Sequence, residues 1–237
     1  LACHVVGYIG KIQNYDTYYT SYKDKGYALS DLIGLDGVEK TMEDWLSACT
    51  TQRVGKRVVE IDRYGAVSRT LSSTEATDGN NIKLTIDSNL QRIAENALEE
   101  NINYIRDQQE VLLNSDSWLD KNKADLQGTT RDFETNPIEL AEKGAVVVID
   151  VRSGEILAMA SYPTYNLATF SADYTALSTD KLTPMLNRCI QGLYPPGSTF
   201  KMVTSAAALE EGVVSENDTF NCPGYYNIGG WRINCSK

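Results

Sequence analysis

The sequence predicts an α+β protein: a mixed, β-rich N-terminal module, then an antiparallel sheet flanked by helices. Three observations carry this. Residues 88–105, SNLQRIAENALEENINYI, place Leu90, Ile93, Ala94, Ala97, Leu98 and Ile105 on one helical face. Residues 144–161, GAVVVIDVRSGEILAMAS, are two apolar runs around Arg152-Ser153-Gly154 and read as a β-hairpin. Residues 57–71 carry a second hairpin pattern, RVVEI and VSRTL on either side of a turn at DRYGAV.

The 237 residues suffice for one large domain or two small ones. Apolar residues make up 42%, so a real core can form, and a charged fraction of 23% is ordinary for a globular chain. The net charge of −10 argues against a nucleic-acid partner, because phosphate binding needs a basic patch. No run approaches the roughly 18 apolar residues of a membrane span. The opening LACHVVGYIGK has neither a basic n-region nor a long apolar stretch, so no signal peptide is expected and the chain as given should be soluble.

Taken in order, residues 1–80 are rich in Tyr, Gly and Thr. LSDLIGLDGVEKTMEDWL (29–46) predicts a helix, with Leu35, Val38, Met42, Trp45 and Leu46 near a 3.6 period. TEATDGNN (74–81) is a polar, turn-rich linker, and a boundary there gives two domains, 1–80 and 81–237. IKLTID (82–87) alternates and predicts a strand. Ser88 with Gln91 three residues on is a capping-box pattern for the helix that follows. Residues 114–140 are polar and predict a long exposed connection ending near Pro137. Neither run of the 144–161 hairpin alternates, so it is expected to be covered on both faces, between helices. No internal repeat occurs.

Five cysteines are present and no C-x-x-C, which argues against a zinc site; no metal or cofactor is expected. Cys222 and Cys235 flank CPGYYNIGGWRINC. A disulfide in an oxidising compartment and two unrelated thiols both fit that spacing.

The chemistry concentrates in PPGSTFKMVTSAAALEEG (195–212). Pro195, Pro196 and Gly197 sit poorly inside a helix. From Ser198 on, Phe200, Met202, Val203, Ala206, Ala207 and Leu209 predict a largely buried helix, with Gly212 as its stop. Ser198 and Lys201, at i and i+3, share one face of the first turn. A serine needs a neighbouring base to become a nucleophile, and an amine is a base only when neutral. A helix dipole supplies only ~0.3–1 kcal/mol toward that, so walls around the amine must do most of it. The bland alternative is an N-capping serine followed by a solvated lysine. Ser178-Thr179-Asp180-Lys181 repeats the S-x-x-K spacing in a polar stretch without an apolar helix behind it, and is read as chance. His4 is the only histidine, so a Ser-His-Asp triad is improbable, and no G-x-S-x-G or phosphate-binding glycine motif occurs.

YPPGSTFKMVTSAAALEEG resembles the active-site segment of penicillin-binding proteins, whose motifs include S-x-x-K. GAVVVIDVRSGEILAMASYPTYN resembles the first hairpin of their transpeptidase domain, and DGNNIKLTIDSNLQRIAENAL the entry to it. HVVGYIGKI and GLDGVEKTMEDWL resemble the non-catalytic N-terminal region of the monofunctional class B members.

The resemblance implies a pedestal or dimerisation-type module over 1–80 and the first part of a transpeptidase domain over 81–237. It implies Ser198 as the acylated nucleophile, Lys201 as its base, and the Ser198 N–H as one of two oxyanion donors. The implied reaction is D,D-transpeptidation of peptidoglycan stem peptides, with β-lactam antibiotics trapping the same serine. The implied setting is the extracytoplasmic face of a bacterial membrane, beside a glycan polymerase and other wall-synthesis proteins. The family's K-T-G motif is absent, and Ser215-Glu216-Asn217 comes too soon after Ser198 to be its S-x-N. The chain is therefore expected to be incomplete and poorly active alone. A β-lactam sensor domain and a non-catalytic scaffold are the competing readings.

Overall fold

Tyrosine- and glycine-rich sequence with few long periodic runs cannot propagate long helices, and the N-terminal part folds as short pieces. The computed structural model describes residues 1–127 and 140–235. Its first elements are α1 (Cys3–Val6), β1 (Ile9–Lys11), the one-turn α2 (Tyr15–Thr17) and β2 (Leu32–Gly34). They continue with α3 (Gly37–Thr41), α4 (Glu43–Leu46), β3 (Lys56–Ile61) and β4 (Val67–Thr74). Next come α5 (Ser88–Leu113), α6 (Asp116–Gln127), β5 (Gly144–Ile149), β6 (Ile156–Tyr162), α7 (Phe170–Thr179) and α8 (Arg188–Gln191). The last are α9 (Lys201–Glu210), β7 (Tyr225–Ile228) and β8 (Trp231–Asn234). The strands form antiparallel pairs, β1 with β2, β3 with β4, β5 with β6 and β7 with β8. Two compact units result, Leu1–Gly192 and Leu193–Lys237.

The single helix predicted over 29–46 is not formed. Leu32–Gly34 pairs with Ile9–Lys11 instead, and helix begins only at Gly37, with a break at Met42. Two glycines inside the predicted helix weaken it by about 1 kcal/mol each. They have another use: a Cβ on Gly34 would lie 2.1 Å from the Glu39 carbonyl, and Gly37 has φ +58°. Behind this turn, Ile12, Tyr27 and Ile33 form a small core. Arg53 ties the region to the linker, donating through Nη1 to the Trp45 and Ser47 carbonyls, both at 2.8 Å, and through Nη2 to Asn80 Oδ1 at 2.9 Å.

The β3–β4 hairpin forms where predicted. Asp62 Oδ1 accepts from the N–H groups of Tyr64 and Ala66, and Gly65 supplies φ +85°. Val58, Ile61, Val67 and Leu71 on it are exposed.

Helix α5 is the main scaffold, longer than the predicted 88–105. Ala94, Leu98 and Ile102 pack on Ala158 and Ala160 of β6, with Val146, Val148 and Tyr162 alongside. Ala158 and Ala160 are 0% and 1% exposed, and their small side chains let the helix lie close. Gly144 serves the same contact, since a Cβ there would meet Ile102 Cδ1 at 2.8 Å.

The cap of α5 is Asp87, one residue before the predicted Ser88. Its carboxylate accepts from the N–H groups of Asn89 and Leu90 at 2.9 and 2.8 Å. Gln91 does not turn back to complete a capping box, because its amide is engaged on β6. It donates to the Met159 carbonyl at 2.8 Å and accepts from the Met159 N–H at 2.7 Å. Residues 82–87 do not form the predicted strand, yet they follow the same edge: the Asp87 N–H donates to the Leu157 carbonyl, and Thr85 Oγ1 to that of Ile156. The alternation was a real signal of lying beside a sheet, without ladder pairing.

Two further expectations change. The connection predicted as irregular over 114–140 begins as α6; residues 128–139, Pro137 among them, lie outside the described residues. The β5–β6 hairpin is covered by α5 on one face only. On the other, the Asn187–Gln191 turn covers Ser161, while Val147 and Ile149 are 41% and 52% exposed.

The Ala2–Gly7 segment packs on residues 164–187 of the same unit. Cys3, Tyr165 and Phe170 are buried together, and Asn187 Nδ2 donates to the His4 carbonyl at 3.1 Å. Arg188, 3% exposed, fills the turn before α8, donating to the Thr183 carbonyl, to Thr183 Oγ1 and to the Leu182 carbonyl.

Candidate active site

In the second unit, Pro195-Pro196 stiffens the chain ahead of Gly197, whose φ of +53° is open to glycine and costly for other residues. Among the described residues nothing lies within 4 Å of where its Cβ would be, so the dihedral is what favours glycine there. The chain then makes a 3₁₀ turn over Gly197–Phe200 that runs into α9. The Thr199 hydroxyl donates back to the Pro196 carbonyl at 2.6 Å. The Lys201 N–H closes the turn on the Ser198 carbonyl.

Ser198 thus sits on the turn and Lys201 opens the helix. In a 3₁₀ turn residues i and i+3 eclipse, so the two predicted side chains leave the same side of the backbone. The Ser198 N–H lies at the start of the turn, where an N–H has no intrahelical acceptor. A hydroxyl, an amine one turn on and a free amide N–H are the parts that acyl transfer needs. Both residues are exposed, and their side chains share no hydrogen bond among the described residues. Long or unmade catalytic hydrogen bonds are common before substrate binds.

The helix predicted as largely buried is not. Its stop is as expected: Gly212 has φ +66°, and the Val213 N–H reaches the Ala208 carbonyl at 3.0 Å. But no residue of α9 is buried, and Phe200, Met202 and Val203 are 53%, 74% and 56% exposed. The apolar pattern reads as a buried face, but among the described residues these side chains stand exposed.

The remaining candidates separate cleanly. Ser178 lies at the end of α7, its hydroxyl donating to the Thr175 carbonyl, and Asp180 follows as the helix stops. Cys222 and Cys235 are both exposed and free. The loop between them holds β7 and β8, joined at Gly229-Gly230 with φ +55° and +83°. The roles of Gln91, Arg188 and the Cys3–His4 pair were missed from sequence; only the Gln91 spacing gave any signal.

Residues 144–237 match the penicillin binding protein transpeptidase domain, and residues 1–84 match the penicillin-binding protein dimerisation domain. A dimerisation region ahead of a transpeptidase region defines the class: the chain belongs to the class B penicillin-binding proteins. Among its relatives, the peptidoglycan D,D-transpeptidase MrdA of Acinetobacter baumannii is 31% identical over 235 residues, covering 97% of this chain and 28% of the relative. The peptidoglycan D,D-transpeptidase FtsI of Escherichia coli is 33% identical over 211 residues, covering 88% of this chain and 28% of the relative. The penicillin-binding protein PBP2 of Helicobacter pylori, solved in complex with MreC, superposes with a TM-score of 0.61 at 25% identity, covering 99% of this chain and 36% of that one. The chain thus spans under a third of the length of these curated relatives.

Proposed function

We propose that the protein acts as a serine D,D-transpeptidase of peptidoglycan, with Ser198 as nucleophile and Lys201 as base. The observation that carries this is the turn itself: Pro-Pro-Gly delivers Ser198 onto a 3₁₀ turn closed by the Lys201 N–H, inside the region that matches the transpeptidase domain.

In this reading Ser198 Oγ attacks the carbonyl between the two terminal D-alanines of a stem peptide, and Lys201 takes its proton. The peptide C–N bond breaks, the proton passes to the departing D-alanine, and an ester remains on Ser198. An amine of a neighbouring stem peptide then attacks the ester and restores the hydroxyl. The Ser198 N–H holds the developing oxyanion. β-Lactams acylate the same oxygen. Residues 1–80 serve as the non-catalytic pedestal or dimerisation module and 81–237 as the opening part of the transpeptidase domain.

The chemistry places the site outside the cytoplasm, where the wall is cross-linked. Among the described residues no helix is long and apolar enough to cross a membrane. A glycan polymerase is the natural partner, since cross-linking consumes freshly made strands.

The test is turnover. The complete gene product should release D-alanine from a D-Ala-D-Ala stem peptide and form cross-linked product, and Ser198→Ala should abolish both. Acylation by penicillin without D-alanine release would indicate a sensor; neither reaction would indicate a scaffold.

A further inference from the structure

Cys3 and His4 take no part in the proposed acyl transfer, yet they form an ordered pair. They are 3% and 5% exposed. His4 Nε2 lies 2.7 Å from the Pro184 carbonyl oxygen. A carbonyl can only accept, so Nε2 carries the hydrogen, and in the neutral ring Nδ1 is bare. Nδ1 faces Cys3 Sγ at 3.4 Å. Thr164 Oγ1 sits 3.1 Å from the same sulfur, where its O–H can donate. Tyr165 packs edge-on against the imidazole, with centroids 5.1 Å apart. A thiol, a base and a group that orients the base are the three parts of an activated nucleophile.

Burial alone pushes the Cys3 thiol up, but the hydrogen bond and charge of His4, with help from Thr164, bring it below its ordinary value. Burial likewise pushes His4 down, and its contact with Cys3 more than reverses that. Cys189 is the opposite case. Its sulfur lies 3.1 Å from the Ala160 carbonyl and 3.5 Å from that of Val146. Burial pushes the Cys189 thiol up, and its contacts with Ser161 and the two carbonyls do not reverse that.

We propose that Cys3 is a site of oxidation by hydrogen peroxide, with His4 as its activating base. Nδ1 takes the S–H proton, and the sulfur electron pair attacks one peroxide oxygen. The S–O bond forms as the O–O bond breaks. The departing hydroxide takes the proton from Nδ1 and leaves as water. Sulfur loses two electrons to peroxide and becomes a sulfenic acid. Peroxide is little larger than water, and α1 is one turn without a side-chain cap, so local opening suffices for entry. The added oxygen has no room between Thr164 and His4, so the Ala2–Gly7 segment loosens from residues 164–187.

The folded chain is pulsed with hydrogen peroxide and quenched with catalase. It is then unfolded in dimedone, and each cysteine is mapped by peptide mass spectrometry. Cys3, the more buried thiol, should form the sulfenic adduct at least about tenfold faster than half-buried Cys189, and His4→Gln should remove that advantage. If His4→Gln fails to fold, Thr164→Val takes its place with the same readings. Oxidation of Cys189 first or together with Cys3, or an undiminished Cys3 rate in the folded variant, overturns the proposal.

Discussion

Gln91 and Met159, 68 residues apart, exchange two hydrogen bonds of 2.8 and 2.7 Å, so that one side-chain amide satisfies both polar groups of a strand residue. Met159 pairs with Val147 on β5, and its own N–H and carbonyl point the other way, to the free edge of β6. An exposed strand edge invites mispairing. Here the edge is sealed from within, by Gln91 at Met159 and by the Asp87 N–H at Leu157.

Gln91 is 0% exposed, so its replacement leaves two buried backbone groups without partners. Gln91→Leu should cost roughly 2–6 kcal/mol in urea unfolding, on ~1–3 kcal/mol for each of the two groups left unpaired. Gln91→Glu keeps the acceptor for the Met159 N–H but loses the donor, and sets a carboxylate beside Glu95, whose Oε1 is 2.9 Å from Gln91 Nε2. It should be destabilising near neutral pH and partly recover as the pH falls.

The caps can be told apart. Asp87→Ala should destabilise by about 1 kcal/mol, the usual worth of an N-cap, whereas Ser88→Ala should be nearly neutral. Equal losses would restore the capping reading on Ser88.

Two buried phenols set the alkaline limit. Burial raises Tyr165 well above the ordinary tyrosine value, with the charge of Cys3 adding to it. Burial also raises Tyr27, whose hydroxyl donates to Glu43 Oε1 at 2.8 Å. The folded state then holds these protons where the unfolded chain has released them. The contribution of these two phenols is therefore level below a pH of about 10 and falls as the pH rises beyond it. Thermal melts across that range should show the fall, and Tyr165→Phe should make it shallower.

The uncovered face of α9 should be sticky. Phe200, Met202 and Val203 are exposed, and contiguous apolar surface of this kind binds dyes and partners. The 237-residue chain should bind 1-anilinonaphthalene-8-sulfonate, and a Met202→Lys, Val203→Ser double variant should bind less. Unchanged fluorescence would place the dye elsewhere.

Where the sequence was legible, local physics and tertiary packing agreed. The β3–β4 turn rests on Asp62 and Gly65, and the α9 stop on Gly212; these are dihedral and capping signals that need no distant partner. The α5 stripe was legible in part: Leu90, Ala94 and Leu98 face the β6 alanines as the period predicts, whereas Ile93 and Ile105 are exposed and Ile102 completes the contact instead. Legibility failed where long-range pairing won. Leu32–Gly34 abandoned a helical period for β1, and residues 82–87 and Gln91 took their partners from a strand some 70 positions away. The Ser198–Lys201 pair was legible as spacing, because Pro-Pro-Gly forces the turn. Its covering walls were not, since hydrophobic pattern says that a face is buried and never by what. The Cys3–His4 pair left no trace in sequence, because the base is oriented by a carbonyl at Pro184, 180 residues on.

The central claim is that Ser198 Oγ is the atom acylated. The most direct measurement is peptide mass mapping of the complete gene product after exposure to benzylpenicillin. The account predicts one adduct, on the peptide carrying Ser198, absent in Ser198→Ala and much slower to form in Lys201→Ala. An adduct on any other residue, or none on a folded full-length protein, would contradict it.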